Sequence, residues 1–436
     1  MQVSVETTSG LERKVSISTP SDVINSDIQK RLQQLSKTQR MAGFRPGKIP
    51  MSVIKKRFGG AVTNEILQEV MSRSFYQAIQ EQNLQPAGQP MLDAGDLEGT
   101  EFTFTATFEV FPEITLTEFS KLKIEKPESE IKDKDIDRML DNLLKQKGTW
   151  EPVKRMAKKD DTVVIDFVGT IDGEAFEGGT AEGFNLVLGS DSMIPGFEKQ
   201  LLKVKTGEER QITVTFPEDY QSAEVAGKEA VFDVTVKEVK GLKTPELDDE
   251  FVKEFGVEDG GVDQLKAEIQ KNMQRELDAK IKGEIKTKVF ESLQEANEVE
   301  IPKPLIDQEI QVLKQQAVQQ FSQGRDAQID LPDLPSAIFE DQAKKRVELA
   351  LLVNQIIQDN ELKVDADRVK ETIETMASAY DEPEQMVNWY YSNQEQLQQV
   401  ESAVMEDQVV DLILEQANVK SKSFGFDELM NPNPSK

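Results

Sequence analysis

The 436-residue chain contains no cysteine and no histidine. The first absence excludes disulfides and thiolate nucleophiles, the second excludes imidazole bases, and together they exclude His/Cys metal centres. Any chemistry must therefore run on carboxylates, amides and hydroxyls, or on the shape and polarity of a pocket. No residue pattern asks for a cofactor or a metal. No stretch approaches the roughly 20 apolar residues of a membrane helix, so no membrane partner is expected. The segment Met1 to Gly10 lacks a basic head and an apolar run. A secretory leader is not expected there, and a cytoplasmic location follows by default. The length exceeds what one core supports, so two to four domains are expected.

Positive charge is scarce and unevenly placed. Lys and Arg total 52 against 80 Asp and Glu, a net charge of −28. Such a balance argues against general nucleic-acid binding unless the cations are gathered in one place. They are. Between Ile28 and Asn64 there is no acidic residue, while Lys30, Arg31, Lys37, Arg40, Arg45, Lys48, Lys55, Lys56 and Arg57 make nine basic ones, leaving −37 on the rest of the chain. Amid them stands Gly43-Phe44-Arg45-Pro46-Gly47-Lys48-Ile49-Pro50. Two Gly and two Pro preorganise an exposed turn, and Phe44 has no apolar neighbours in sequence. Either this is a solvated loop with its phenylalanine tucked into its own domain, or it is a docking tip. In the second case Arg45 and Lys48 meet phosphates or acidic side chains and Phe44 fills an apolar crevice.

Hydrophobic patterning divides the chain. Residues 2–18 alternate around a Thr-Thr-Ser-Gly break and predict a hairpin. Thr19 as N-cap, Pro20 at the first helical position and Asp22 in the first turn predict a helix over 20–41. A second helix is predicted over 50–82. Phe102, Phe104, Ala106, Phe108 and Val110 alternate with polar residues, a half-buried strand. This first α+β unit closes near 112. Residues 113–149 form an acidic connector with a helix near 133–147, and 150–246 hold short strands with Gly-rich turns, followed by an acidic link. Residues 247–436 are helical, with helices predicted at 302–323, 335–360, 365–379 and 393–418 and a disordered Asn431-Pro432-Asn433-Pro434-Ser435-Lys436 tail. Leu265, Ile269, Met273, Leu277, Ile281, Ile285, Val289 and Leu293 recur every four residues. Each step drifts about 40° around a helix, so the stripe needs different partners along its length. That suits an elongated all-α domain with arms, on which Met273, Met376, Met386 and Met405 are either core or adaptable contact residues.

The string Gly-Phe-Arg-x-Gly-Lys-x-Pro, complete at residues 43–50, resembles the ribosome-binding signature of the trigger factor family. The resemblance implies that Phe44, Arg45 and Lys48 contact a ribosomal protein and rRNA beside the nascent-chain exit of the large subunit. It also implies that the helices after 247, together with 113–149, cradle unfolded nascent polypeptides. A role in protein export and a homodimer away from the ribosome belong to the same expectation.

The middle segment carries Met193-Ile194-Pro195-Gly196-Phe197-Glu198, Gly207-Glu208 before a strand, Pro217-Glu218-Asp219-Tyr220 and Val231-Phe232-Asp233-Val234. This order resembles the FKBP-type peptidyl-prolyl isomerases over about 155–241. The resemblance implies an antiparallel β domain with a short helix and a pocket walled by Phe167, Phe176, Phe184, Met193, Ile194, Phe197, Tyr220 and Phe232. Glu177 stands beside it where many small members have Asp, and Phe197 where many relatives have Trp. Isomerisation is consistent with the missing His. The barrier, about 18–20 kcal/mol, comes from lost amide resonance, and no bond breaks and no proton must move. A dry aromatic pocket disfavours the planar, more polar amide more than the twisted one, with Tyr220 and a backbone N–H holding the substrate carbonyl. Two alternatives remain: a dedicated isomerase whose flanking domains only deliver substrate, and a non-catalytic module that grips Pro-containing segments. Asp166 with Glu177 as a hydrolytic carboxylate pair has no other support.

Overall fold

The computed structural model describes residues 2–41, Phe44, 48–95, Leu97, 99–220, Ser222, 225–257, 259–322, 334–378, Tyr380 and 382–431, and only the backbone of Glu177 and of 320–322. The predicted disorder at 432–436 lies outside the described residues. Contacts divide the chain into two compact units, one of 1–126 with 284–422, the other of 127–283 with 423–436.

In the first unit, β1 (Gln2–Ser9) and β2 (Glu12–Pro20) form the predicted hairpin, followed by α1 (Ser21–Thr38), α2 (Met51–Glu81), β3 (Met91–Ala94) and β4 (Glu101–Glu109). The sheet order is β1-β2-β4-β3. Ile17 lies opposite Phe104 and Val15 opposite Ala106, so the alternating apolar residues of two strands share one face. Against that face α2 buries Val62, Ile66, Val70 and Phe75. Phe75 meets Phe108 edge-on at 5.2 Å, an arrangement favoured by the ring quadrupoles. The expected Thr19 cap is not formed. Strand β2 runs through Pro20, which pairs with Glu101, and Pro20 itself is the residue before the helix, with no side-chain cap. Thr19 is committed to the sheet ladder opposite Phe102, and Ser21 instead donates its N–H to the Thr100 carbonyl.

Next come β5 (Lys123–Glu128) and α3 (Asp133–Gln146). The second unit continues with β6 (Thr149–Pro152), β7 (Thr162–Ile171), β8 (Glu174–Val187), α4 (Phe197–Gln200), β9 (Glu209–Thr215) and β10 (Glu229–Lys243). They form an antiparallel sheet ordered β6-β10-β7-β8, with β9 also on β10. The Gly-rich stretch from Glu174 to Gly179, within the segment where turns were expected, is strand. Glu174 and Ala175, Thr180 and Ala181, and Phe184 to Val187 pair with β7, and register shifts between Ile165/Phe167 and Val168/Thr170 absorb the residues between.

The helical remainder begins with α5 (Asp249–Lys253), where Asp248 accepts hydrogen bonds from the Glu250 and Phe251 amides as N-cap. Then follow α6 (Gly261–Ala296), α7 (Lys303–Ser322), α8 (Glu340–Asp359), α9 (Ala366–Ala377), α10 (Pro383–Ser392), α11 (Gln394–Gln416), β11 (Asn418–Ser423) and α12 (Phe426–Met430). The α6 stripe is buried at Leu265, Ile269, Met273, Leu277, Ile285, Val289 and Leu293. Leu265, Ile269, Met273 and Leu277 share a core with Ile136 and Leu140 of α3, Phe251 and Val252 of α5, and Phe426 and Leu429 of α12. Further on, Lys286 pairs with Glu406 of α11 at 2.6 Å, and Gln294 donates to Glu348 of α8 at 3.0 Å. Short elements without a strong period, β3, β6, β11, α10 and α12, had no counterpart in the sequence reading.

Candidate active site and docking tip

The sheet of the second unit brings together most of the residues expected to wall a pocket. On β7 and β10, Phe167 lies opposite Val234 and Gly169 opposite Phe232. Helix α4 starts at Phe197, after Gly196 in the left-handed region at φ 92°, a conformation that glycine adopts without a Cβ penalty. These positions bring three rings together. Phe197 and Phe232 are 5.3 Å apart, Phe167 and Phe232 5.9 Å, and Phe167 and Phe197 6.1 Å, all edge-on. The three are buried. Phe184 touches Phe167 at 5.9 Å and Phe176 touches Phe232 at 6.0 Å. Phe184 is 38% exposed and forms rim rather than core, while Phe176, Met193 and Ile194 pack half-buried against the same cluster.

Tyr220 stands further out. It meets Phe216 at 4.8 Å, and Phe216 meets Phe176 at 5.7 Å. Tyr220 is 44% exposed and reaches the buried rings only through two intervening ones. The Glu177 side chain and the role expected for it lie outside the described residues. Two glycines make room for the rings. A Cβ on Gly169 would stand 2.5 Å from Phe232 and 2.9 Å from Phe176, and one on Gly179 would stand 2.8 Å from Phe176.

The carboxylate that organises this site is one the sequence reading passed over. Glu198 is buried and accepts hydrogen bonds from the amides of Gly189 at 2.6 Å, Ser192 at 2.9 Å, Asp191 at 3.2 Å and Met193 at 3.3 Å. Burial pushes its pKa up, but these amides outweigh burial and hold it below the ordinary carboxylate value. One side chain thus fixes the loop that carries Met193 and Ile194. Its signal in the sequence was the Glu closing the Ile-Pro-Gly-Phe-Glu corner, a charged residue directly after a core phenylalanine.

Two more acids fix the frame. Asp161 is held below its ordinary pKa, against burial, by the Arg155 guanidinium at 2.8 Å and the Lys158 amide at 2.8 Å. Asp166, lowered chiefly by Lys237 at 2.8 Å, also accepts from the Gly183 amide beside Phe184. It is therefore committed to a structural role and is not half of a hydrolytic pair. Among the described residues no cluster of acids has the makings of a metal site.

In the first unit, Phe44 is 38% exposed, with its amide donating to the Met41 carbonyl at 3.2 Å. Lys48 is exposed and Ile49 buried, so the chain is anchored at Ile49 while Phe44 and Lys48 are open to solvent. Arg45 lies outside the described residues. Of the four methionines singled out, Met273 is core, Met376 is 46% exposed, and Met386 and Met405 are half-buried.

Residues 1–143 match the family model of bacterial trigger factor protein, 261–415 that of the bacterial trigger factor protein C-terminus, and 153–237 that of FKBP-type peptidyl-prolyl cis-trans isomerase. A trigger factor of Pseudoalteromonas atlantica is 51% identical over 99% of both chains, and one of Idiomarina loihiensis is 47% identical over the same shares. A solved structure of the trigger factor chaperone is 20% identical, covers 95% of this chain and 100% of its own, and has a TM-score of 0.48.

Proposed function

Because the chain belongs to the trigger factor family and holds an FKBP-type peptidyl-prolyl isomerase domain, we propose that it is a cytoplasmic chaperone that docks on the large ribosomal subunit, shelters nascent chains and turns over their X–Pro bonds in the Phe167–Phe197–Phe232 pocket. One observation carries the isomerase part: three buried rings form a floor, with an open rim of half-exposed aromatics above it. A proline ring seats on that floor. The amide then leaves water for an apolar wall, which raises the planar state more than the twisted, less polar one. Among the described residues the Ile194 amide has no acceptor, whereas its neighbour Met193 donates to Glu198. Ile194 N–H is therefore the donor available to a substrate carbonyl, and Tyr220 closes the outer side. Lowering the barrier by about 5–6 kcal/mol accelerates rotation on the order of 10⁴-fold. In a protease-coupled assay on an X–Phe-Pro peptide, Phe197→Ala is expected to reduce kcat/KM at least tenfold. A rate equal to the uncatalysed one in the intact chain removes the enzyme assignment and leaves a non-catalytic grip on proline.

Docking rests on two exposed residues of the 43–50 string, Phe44 and Lys48. Phe44 fills an apolar crevice of a ribosomal protein, and Arg45 and Lys48 meet acidic side chains or rRNA phosphates near the exit. In this reading residues 1–112 dock, 150–246 isomerise, and 247–436 with 113–149 hold the client. Co-sedimentation with purified large subunits is expected to be lost in Phe44→Ala/Arg45→Ala/Lys48→Ala while peptide isomerisation is kept. Binding that survives the triple change rejects the tip.

A further inference from the structure

Helix α2 opens Met51-Ser52-Val53-Ile54-Lys55-Lys56-Arg57-Phe58-Gly59-Gly60, and two features of this segment are left unexplained by the fold. The first is charge. At the edges of the acid-free span the cations are neutralised, Lys30 by Asp27 at 2.9 Å and Arg31 by Glu65 at 2.7 Å. Lys55, Lys56 and Arg57 are exposed and have no ion-pair partner among the described residues. The second is the glycine pair. Glycine is the poorest helix former after proline, yet two stand together inside a 31-residue helix. Neither has a positive φ. A Cβ on Gly60 would meet nothing within 4 Å, and one on Gly59 only the Lys55 side chain at 3.6 Å. Alanine fits at both positions and favours the helix, so neither backbone conformation nor internal packing accounts for them.

Ser52, Lys56, Gly60 and Asn64 follow one another at four-residue spacing, which places them along one ridge, and all four are exposed. That ridge carries no apolar residue, and protein interfaces are built around apolar or aromatic anchors. Spaced cations beside bare backbone suit a sugar-phosphate chain instead. Resting on the ribosome-docking reading above, we propose that the first three turns of α2 form a second contact, separate from the Phe44 tip, for the phosphate backbone of ribosomal RNA. Lys55, Lys56 and Arg57 meet phosphates, and Gly60 lets the strand approach the helix where a side chain would hold it off.

The test uses the full chain and purified large subunits across a series of salt concentrations. Lys55→Ala/Lys56→Ala is expected to weaken binding about tenfold and to flatten the dependence of log Kd on log salt by about one to two, roughly one per lost phosphate contact. Gly60→Ala is expected to raise the Tm of the N-terminal domain and yet weaken binding severalfold, a combination that damage to the fold cannot produce. Unchanged affinity in both variants, beside a Phe44→Ala/Arg45→Ala/Lys48→Ala variant that no longer binds, overturns the second contact and keeps the tip. Lower affinity with an unaltered salt slope shows that no charge contact was lost and overturns the RNA assignment. A tip variant that binds like the parent removes the docking reading and this contact with it.

Discussion

Replacing Glu198 by Gln keeps the size of the side chain and removes its charge. Its two carboxylate oxygens each serve two amides: Oε1 accepts from Ser192 and Met193, and Oε2 from Gly189 and Asp191. Whichever oxygen becomes the NH₂ group, two backbone donors then face a donor. Hydrogen bonds to a charged acceptor are each worth about 1.5–3 kcal/mol, and an unsatisfied buried amide costs about 1–3 kcal/mol. Partial relaxation of the loop places the net loss at about 3 kcal/mol. For a domain of this size that is a fall of roughly 15 °C in its transition. The chain has two tryptophans. In a Trp389→Phe background Trp150, on the β6 strand of this sheet, therefore reports the domain alone. Loosening Met193 and Ile194 is expected to cost on the order of tenfold or more in kcat/KM, because small misplacements of a positioning group are expensive. Acid supplies the control. The folded-state pKa of Glu198 is lowered, so its contribution is fully present above the unfolded value of about 4.3 and disappears as pH falls through the folded value. The stability gap between parent and variant is expected to be constant near neutrality and to narrow below about pH 4.3. A variant with unchanged transition and kcat/KM, or a gap that persists into acid, refutes the organising role.

Gly169→Ala drives a methyl into Phe232 and Phe176. Overpacking of this kind costs about 1–3 kcal/mol, and kcat/KM is expected to fall with it, since both rings wall the pocket; a fully active, equally stable variant contradicts the ring placement. Asp166→Asn weakens the hold on Lys237 and on the Gly183 amide next to Phe184. A severalfold rise in KM with little change in unfolding is expected from peptide kinetics, whereas collapse of the domain marks Asp166 as a fold determinant instead.

Strong periods and long strings were legible in the sequence. The alternation at Phe102–Phe108 became β4, and the four-residue stripe became one long helix, α6, whose first half is buried with α3, α5 and α12. The clustering of Phe167, Phe197 and Phe232 was legible because they sit in strings whose order fixes strands and a helix start. Glu198 was not, because a one-dimensional pattern does not show which amides a carboxylate will collect from a loop folded back on it. Gly169 and Gly179 were hidden for a related reason: their necessity lies in rings from other positions along the chain. The Thr19 cap failed where a local signal met a tertiary one, since strand pairing with Glu101 carries β2 through Pro20 before the helix begins.

A chain without histidine that rotates amides should show little response to pH. Three acids of this domain, Glu198, Asp161 and Asp166, are held below ordinary carboxylate values, so each stays ionised through the neutral range and each is occupied in holding backbone or a cation. None is poised to exchange a proton with substrate, and rotation about the X–Pro bond requires no such exchange. The expected profile of kcat/KM is flat from about pH 5.5 to 8.5, falling in acid only as the Glu198 loop and the domain's stability are lost together. Catalysis by general acid–base chemistry would give a bell with limbs inside that window while the fold stays intact. Measuring activity and Trp150 fluorescence on the same samples separates the two: a limb in activity without one in folding means that a titrating group takes part in the reaction, and the aromatic pocket alone does not account for it.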